Sequence, residues 1–101
     1  MYDLFIEAEA HEQRKRLPGN LRQRIGHLIE SLGKSPRPSA SEPLDVSGLN
    51  VPLGIELRRI RLDPWRIVYA VNDDEAWVWI WRIRRRPPYD YDDLVDFINQ
   101  M

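Results

Sequence analysis

The sequence predicts an α+β fold in which two N-terminal helices and a C-terminal helix pack on a mainly antiparallel four-stranded sheet. Apolar residues recur at helical spacing between Leu21 and Leu32, and three segments rich in Ile, Val and Trp follow between Ile55 and Arg84. Only short turns separate these segments, which favours antiparallel pairing. We expect the 101 residues to form one domain, 1–101, with its helices on one face of the sheet.

The N-terminal part predicts one strand and two helices. The short apolar run Tyr2–Ile6 predicts the strand. Good helix formers follow it, but Pro18 lacks the N–H donor that a helix interior requires. Two helices are therefore expected, near 8–16 and 18–32. Gly33 follows the apolar stripe of the second helix, where a left-handed stop is expected.

Prolines and serines predict a loop over residues 34–54, with room for a short strand near Leu44–Val46. The strands that follow are expected at Ile55–Leu62, Trp65–Asn72 and Ala76–Arg84. Asp90–Asn99 predicts the final helix, because its acidic residues come first, where the helix dipole favours negative charge.

The composition excludes several classes of protein. Hydrophobic residues make up 43% and charged residues 31%, which is typical of a folded domain. The chain has no cysteine, which excludes disulfides and thiolate metal sites. His11 and His27 have no partner at ligand spacing, so no metal or cofactor is expected. No apolar run could span a bilayer and no export signal is visible, so we expect a cytoplasmic protein without a membrane partner.

The near-zero net charge of −1 conceals an uneven distribution of charges. Eight arginines and no lysine lie between Arg58 and Arg86, whereas the tail from Asp90 onward is acidic. Arginine suits phosphate, because its planar guanidinium donates two parallel hydrogen bonds and stays charged. The simpler interpretation is a set of solvated surface charges.

Strand alternation groups these arginines. Arg59 and Arg61 share one face, and Arg66 lies close to them across the turn at Asp63-Pro64. A second group on the last strand also shares a face: Arg82, Arg84 and Arg86. If the two faces coincide, up to six guanidinium groups converge on a polyanion or an acidic partner. The alternative is that they splay and pair locally with carboxylates such as Glu56, Asp63 and the acidic tail.

The tryptophans allow two interpretations as well. Trp77, Trp79 and Trp81 alternate along one strand, and we expect Trp77 and Trp79 to lie in the core beneath the N-terminal helices. Trp65 stands beside Arg66 at a turn and is the better candidate for ligand contact. Single-stranded RNA is commonly bound by aromatic rings beside arginines.

Several segments, in this order, resemble the RelE/ParE superfamily of bacterial type II toxin–antitoxin toxins. They are the Leu17-Pro18 break, Leu32 followed by Pro36-Arg37-Pro38, the strand Leu57–Leu62, the strand Trp65-Arg66-Ile67-Val68-Tyr69, and Ile83-Arg84-Arg85-Arg86 with tyrosines shortly after. The resemblance covers nearly the whole chain.

The resemblance implies an activity and a set of residues for it. RelE-like members cut mRNA in the ribosomal A site with basic residues and often a tyrosine. Carried over to this chain, the catalytic candidates are Arg59, Arg61, Arg66, Arg86 and either Tyr89 or Tyr91. Further RNA-binding candidates are Arg58, Trp65, Arg82, Arg84 and Arg85.

Three hypotheses follow from the resemblance. The first is a metal-independent endoribonuclease that inhibits translation; since arginine is a poor base, its base would be Tyr89, Tyr91, a nearby carboxylate or the ribosome. The second is a ParE-like inhibitor of DNA gyrase. The third is an inactive binding protein with the same fold. Basic residues at all four carried-over arginine positions favour the first. The partners that the resemblance implies are a cognate antitoxin protein and mRNA in the ribosomal A site, or alternatively DNA gyrase.

Overall fold

The computed structural model describes all residues, 1–101, as three helices and a five-stranded sheet. In chain order the elements are β1 (Asp3–Ile6), α1 (Ala8–Lys15), α2 (Gly19–Leu32), β2 (Ser41–Pro43), β3 (Ile55–Leu62), β4 (Trp65–Asn72), β5 (Trp77–Arg85) and α3 (Leu94–Asn99). The predicted α+β class and the order of elements are confirmed.

The sheet is mainly antiparallel, in the spatial order β1-β5-β4-β3-β2. Strands β3, β4 and β5 form the predicted meander, and β1 adds to β5 as the one parallel edge strand. The fifth strand, β2, pairs with β3 and covers Ser41–Pro43, just before the 44–46 segment that the sequence indicated. The chain therefore has one strand more than predicted.

The two N-terminal helices cover one face of the sheet. Ile25, Ile29 and Leu32 of α2 are buried in the same cluster as Ile60 and Ile67 from the central strands. This is the periodic stripe that predicted the helix. Burying such a side chain contributes about 1.5–3 kcal/mol, so this cluster is a main source of stability.

The short helix α3 covers the opposite face, so the expectation that all helices share one face is wrong. Leu94 and Phe97 of α3 cluster with Val68 and Trp81. The rings of Trp81 and Phe97 stack with centroids 4.4 Å apart and planes 8° from parallel. Between the predicted start of the last helix at Asp90 and its observed start at Leu94, the chain turns without forming a helix.

The three tryptophans of β5 lie on the α3 face, so the prediction that Trp77 and Trp79 lie beneath the N-terminal helices is wrong. Trp77 and Trp79 are only partly buried there, whereas Trp81 is completely buried. The sequence could show that the three rings share a face but not which helix would cover that face.

Gly33 has a different role from the predicted left-handed stop, because its φ is −66°. Its carbonyl accepts a 2.7 Å hydrogen bond from the N–H of Tyr2. A Cβ at this position would stand 3.4 Å from the carbonyl oxygens of Glu30 and Tyr2. Gly33 thus places the end of α2 in close contact with the chain entering β1, where an added methyl group would fit tightly.

A polar network holds the loop after α2 against the edge of the sheet. Arg37 donates hydrogen bonds of 3.1 and 2.8 Å to Asp73 and one of 2.8 Å to Glu56. Arg58 forms an ion pair of 3.2 Å with the same Glu56 and donates to the hydroxyl of Ser41. We call this group the anchoring network; its members are Tyr2, Arg37, Ser41, Glu56, Arg58 and Asp73.

Candidate functional site

Arginines form two rows across the three central strands. In the first row Arg61 of β3 stands opposite Arg66 of β4, which stands opposite Arg84 of β5. In the second row Arg59 and Arg82 flank Val68. Directly opposed residues have Cβ atoms about 4.5–5.5 Å apart, so five arginine side chains rise from one patch. We call this patch the arginine face; its members are Arg59, Arg61, Arg66, Arg82 and Arg84.

A β-bulge brings the arginines of β5 onto this face. The register shifts between Val68 and Tyr69. Val68 pairs with Arg82 and the next residue, Tyr69, pairs with Ile80, so one residue of β5 has no partner on β4. Trp81 is the extra residue, and both Trp81 and Arg82 lie on the α3 side of the sheet. The guanidinium carbon of Arg82 is 3.7 Å from the centroid of the Trp81 ring, within the range of a cation–π contact.

The bulge reverses the alternation for the rest of β5, because it inserts one residue into one strand only. Strict alternation from Trp77 would have turned Ile83 toward the arginine face and Arg84 into the core. Instead Ile83 is buried beneath the N-terminal helices and Arg84 joins the row with Arg66. Five of the six arginines in the two predicted groups therefore share one face, without Arg86, and this arrangement depends on a bulge that the sequence did not reveal.

Four members of the arginine face are held by carboxylates, as the alternative interpretation expected. Arg59 pairs with Glu42 at 2.7 Å and Arg66 with Asp63 at 2.9 Å. Glu9 of α1 bridges two more, at 2.9 Å from Arg82 and 2.8 Å from Arg84. Arg82 also lies 3.6 Å from Asp93. The remaining member, Arg61, is exposed and forms no ion pair.

Two of these carboxylates, those of Asp63 and Glu42, are weakly held, whereas Glu9 is held by two arginines. The side chains of Asp63 and Glu42 are 74% and 62% exposed, and exposed ion pairs contribute about 0–1 kcal/mol. The hydrogen bond from Arg84, together with the charge of Arg82, lowers the pKa of the Glu9 carboxyl below its ordinary value. A phosphate could replace such partners at little cost and keep the arginines charge-paired.

Arg66 is the most buried member, at 7% exposure. Its Nε atom is buried without a hydrogen-bond acceptor. An unsatisfied buried donor costs about 1–3 kcal/mol, more for a charged group. Arg66 is therefore poorly explained as a stabilising residue, because a hydrophobic side chain would fill this place without that penalty.

Neither candidate tyrosine is arranged as a base. The hydroxyl of Tyr89 donates to Asp93. Burial, the bond to Asp93 and the charge of that carboxylate all raise the pKa of Tyr89 far above its ordinary value, so it stays protonated at neutral pH. The hydroxyl of Tyr91 is buried and has no partner. The two rings contact each other edge to face, with centroids 4.8 Å apart, and the guanidinium of Arg86 lies over the ring of Tyr91.

The other predicted residues lie outside the arginine face. Arg58 is buried on the opposite face as part of the anchoring network. Trp65 and Arg85 face each other across the end of β4 and β5. Arg86 follows β5, and its N–H donates to the carbonyl of Pro64. The structure thus separates the eleven candidates into a central patch and a surrounding group.

Sequence reasoning missed the residues that orient the arginines. Glu9 lies 75 positions from Arg84 in the chain, and nothing local marks it as a partner. Asp93 was counted only within an acidic tail, although it contacts both Arg82 and Tyr89. No group of three or more histidine, cysteine or acidic residues is placed to hold a metal ion. No helix combines the length and apolarity that crossing a bilayer requires.

Comparison with known families identifies the chain. The model of the family described as the ParE toxin of the type II toxin–antitoxin system parDE matches residues 3–87. The chain belongs to this toxin family. The resemblance to the RelE/ParE superfamily is confirmed, and the protein is a type II toxin by family. A comparison with curated protein sequences finds no match.

Solved structures of RelE toxins share this fold. RelE in an archaeal RelE–RelB complex from Pyrococcus horikoshii is 22% identical, with a TM-score of 0.71 over 87% of this chain and 98% of that one. RelE of the intact RelBE complex from E. coli is 20% identical, with a TM-score of 0.60 over 84% and 96%. The isolated E. coli RelE is 18% identical, with a TM-score of 0.61 over 99% and 98%. At these identities the likeness establishes the fold alone.

Proposed function

We propose that this toxin cleaves mRNA in the ribosomal A site and so inhibits translation, as RelE-like toxins do. The observation that carries the proposal is the cross-strand row of Arg61, Arg66 and Arg84. Arginines on three adjacent strands could surround one phosphodiester and stabilise the additional negative charge that develops on it during cleavage. Arg66 and Arg84 are paired with the exposed carboxylates of Asp63 and Glu9, which a phosphate would replace, and Arg61 is unpaired.

The reaction would be an intramolecular transfer. The 2′-oxygen of a ribose attacks the adjacent phosphorus; its bond to phosphorus forms as the bond to the 5′-oxygen breaks. The products are a cyclic 2′,3′-phosphate and a 5′-hydroxyl. The proton of the 2′-hydroxyl leaves and another reaches the 5′-oxygen. The arginine face would stabilise the pentavalent phosphate, because preorganised donors aimed at developing charge supply much of such catalysis.

The base would come from outside the chain. Arginine does not release its proton near neutral pH. The bond to Asp93 and burial keep Tyr89 protonated, so Tyr89 is a poor base. We propose that the ribosome supplies the group that accepts the 2′ proton, which makes cleavage dependent on translation.

The experiment is controlled expression followed by mapping of mRNA 5′ ends in a translating extract. We expect cuts in phase with codons that disappear when ribosomes are removed. Arg66→Ala should abolish growth arrest while the circular dichroism spectrum stays native. Lys34→Ala, an exposed basic residue just past the end of α2, is the matched control and should remain toxic. Growth arrest by Arg66→Ala at the wild-type dose would reject the assigned site.

A second candidate function is inhibition of DNA gyrase, favoured by the ParE description of the matching family. In that case the arginine face would bind the enzyme or its DNA without cutting RNA. Intact mRNA together with stalled, cleaved DNA would decide for this candidate. Absence of any growth arrest would favour an inactive toxin-fold protein.

We further propose a cognate antitoxin that covers the arginine face. Two of the similar structures are complexes of RelE with RelB. Five arginines on one patch offer such a partner a basic surface for acidic side chains. Co-expression with the small open reading frame next to the toxin gene should relieve growth arrest and yield a stable complex.

A further inference from the structure

A shallow cavity of about 180 Å³ lies beside the arginine face, where α1 meets the end of β4 and β5. Its lining includes Gln13, Arg16, Leu17, Trp65, Arg84 and Arg85. Arg84 belongs both to this cavity and to the row with Arg66. A ligand held by the arginine face would therefore reach the cavity without leaving the protein surface.

Every side-chain polar group free to meet a ligand in this cavity is a donor. The side-chain oxygen of Gln13 already accepts the N–H of Ile83 at 2.9 Å, so its amide NH₂ is the group left over. Arg16 and Arg85 are exposed and form no ion pair, unlike Arg84, which is held by Glu9. No carboxylate lines the cavity. This lining favours a ligand that carries acceptors and negative charge.

An aromatic ring forms the other half of the cavity. Trp65 is partly buried against the helical core and stands directly opposite Arg85 in the sheet. A tryptophan beside cations with no anionic partner is the arrangement that binds single-stranded nucleic acid, since bases stack on the ring while phosphates meet the cations. An acidic peptide would satisfy the arginines but would leave the ring without a matching surface.

We propose that this cavity, which we call the stacking cavity, binds one unpaired nucleotide of single-stranded RNA, with its base on Trp65 and its phosphate between Arg16 and Arg85. The inference rests on the proposed function, because the nucleotide in the stacking cavity would be the neighbour of the nucleotide that is cleaved on the arginine face. Arg84 would lie between the two nucleotides. The stacking cavity would thereby fix the position of the strand on the arginine face.

The test measures binding without cleavage. Fluorescence anisotropy with the full chain would use a short 2′-O-methyl RNA, which lacks the attacking hydroxyl. Trp65→Ala should weaken binding roughly tenfold, from the lost stacking of one base, and Trp65→Phe should restore much of the loss. Arg16→Ala and Arg85→Ala should each weaken binding and reduce the slope of log affinity against log salt by about 0.7.

Two controls keep the result specific. Lys34→Ala removes the same charge far from the stacking cavity and should leave affinity unchanged. An RNA with one abasic nucleotide, moved through each position, should lose affinity at one position with the wild-type chain and at none with Trp65→Ala.

The inference is overturned if Trp65→Phe, Trp65→Ala and the Arg16/Arg85 double alanine variant bind as tightly as wild type. It is also overturned if Lys34→Ala loses as much affinity as Arg85→Ala. These outcomes are separate from the proposed function. Cleaved mRNA with Trp65-independent binding would reject the stacking cavity alone, and Trp65-dependent binding without cleavage would reject the nuclease alone.

Discussion

The two faces of the sheet each carry a group of arginines, and the two groups differ in how completely the arginine nitrogen atoms are paired. In the anchoring network Arg58 donates to the buried hydroxyl of Ser41. Arg58 and Arg37 both pair with Glu56, and Arg37 also donates hydrogen bonds to Asp73. On the arginine face each paired cation relies on exposed carboxylates, and Arg61 has none. Both groups use carboxylates that are at least partly exposed, but every nitrogen of Arg58 has a partner, whereas Arg61 has no ion pair and the Nε of Arg66 has no acceptor.

Two arginines, one from each group, show the difference most directly. Arg58 and Arg66 are nearly equally buried, at 9% and 7% exposure, on adjacent strands. Three atoms of Arg58 find partners, whereas the Nε of Arg66 finds none. Burial therefore does not distinguish the two arginines, whereas the pairing of their nitrogen atoms does.

The largest expected effect comes from replacing each of these two arginines by methionine, in separate variants. Arg66→Met should lower mRNA cleavage by about 100-fold or more, by loss of a transition-state donor. It should change the free energy of unfolding by less than about 1 kcal/mol, since exposed Asp63 is simply rehydrated.

Arg58→Met, the paired variant, should remain active and lose about 2 kcal/mol of stability. Ser41 and Glu56 both lose a partner, and the partial exposure of Glu56 moderates the loss. Urea unfolding and cleavage assays on both variants check the pair. The comparison fails if both variants lose stability equally, or if Arg58→Met is the inactive one.

A smaller effect should appear at acid pH. Hydrogen bonds from Arg37 and then from Tyr2 lower the pKa of Asp73 in the folded chain. Because this folded value lies below the unfolded value of about 3.9, the stabilisation is present above about pH 4. It is lost as the pH falls through the folded pKa.

As the pH falls from about 4 to the folded pKa of Asp73, the free energy of unfolding should therefore decrease less in the Arg37→Leu variant than in the wild type. Urea midpoints measured from pH 7 down to about pH 2 would reveal the difference in slope. Glu9→Gln is the corresponding variant on the arginine face, because Arg84 and Arg82 lower the pKa of Glu9 as Arg37 lowers that of Asp73. Its urea midpoints are measured over the same pH range. Parallel acid limbs for wild type and Arg37→Leu would mean that Asp73 does not contribute.

Local sequence patterns predicted most of the fold. The stripe at Ile25, Ile29 and Leu32 predicts α2 because periodicity is a property of the segment itself. Alternation likewise predicts that Arg59 and Arg61 share a face, and the register confirms it. Such features are set by residues within a few positions of each other.

The parts that sequence reasoning missed depend on distant segments. The bulge at Trp81 shows only in the pairing of β5 with β4, where the neighbours Val68 and Tyr69 pair with Arg82 and Ile80 and Trp81 is skipped. Which helix covers the tryptophans is decided by how the tail folds back after Arg86. The contact of Glu9 with Arg84 likewise joins the two ends of the chain. No window of sequence contains these relations.

The smallest expected effect tests whether the partners of the arginine face are exchangeable. Glu42→Gln removes the carboxylate of the 2.7 Å pair with Arg59 while keeping the size of the side chain. Because Glu42 is 62% exposed, the free energy of unfolding should change by less than about 0.5 kcal/mol. RNA affinity should rise slightly, because one negative charge beside the arginine face is removed. Urea unfolding and anisotropy measure the two quantities. A loss of 2 kcal/mol or more would show that Glu42 is a fixed structural partner of Arg59, and the arginine face would then resemble the anchoring network.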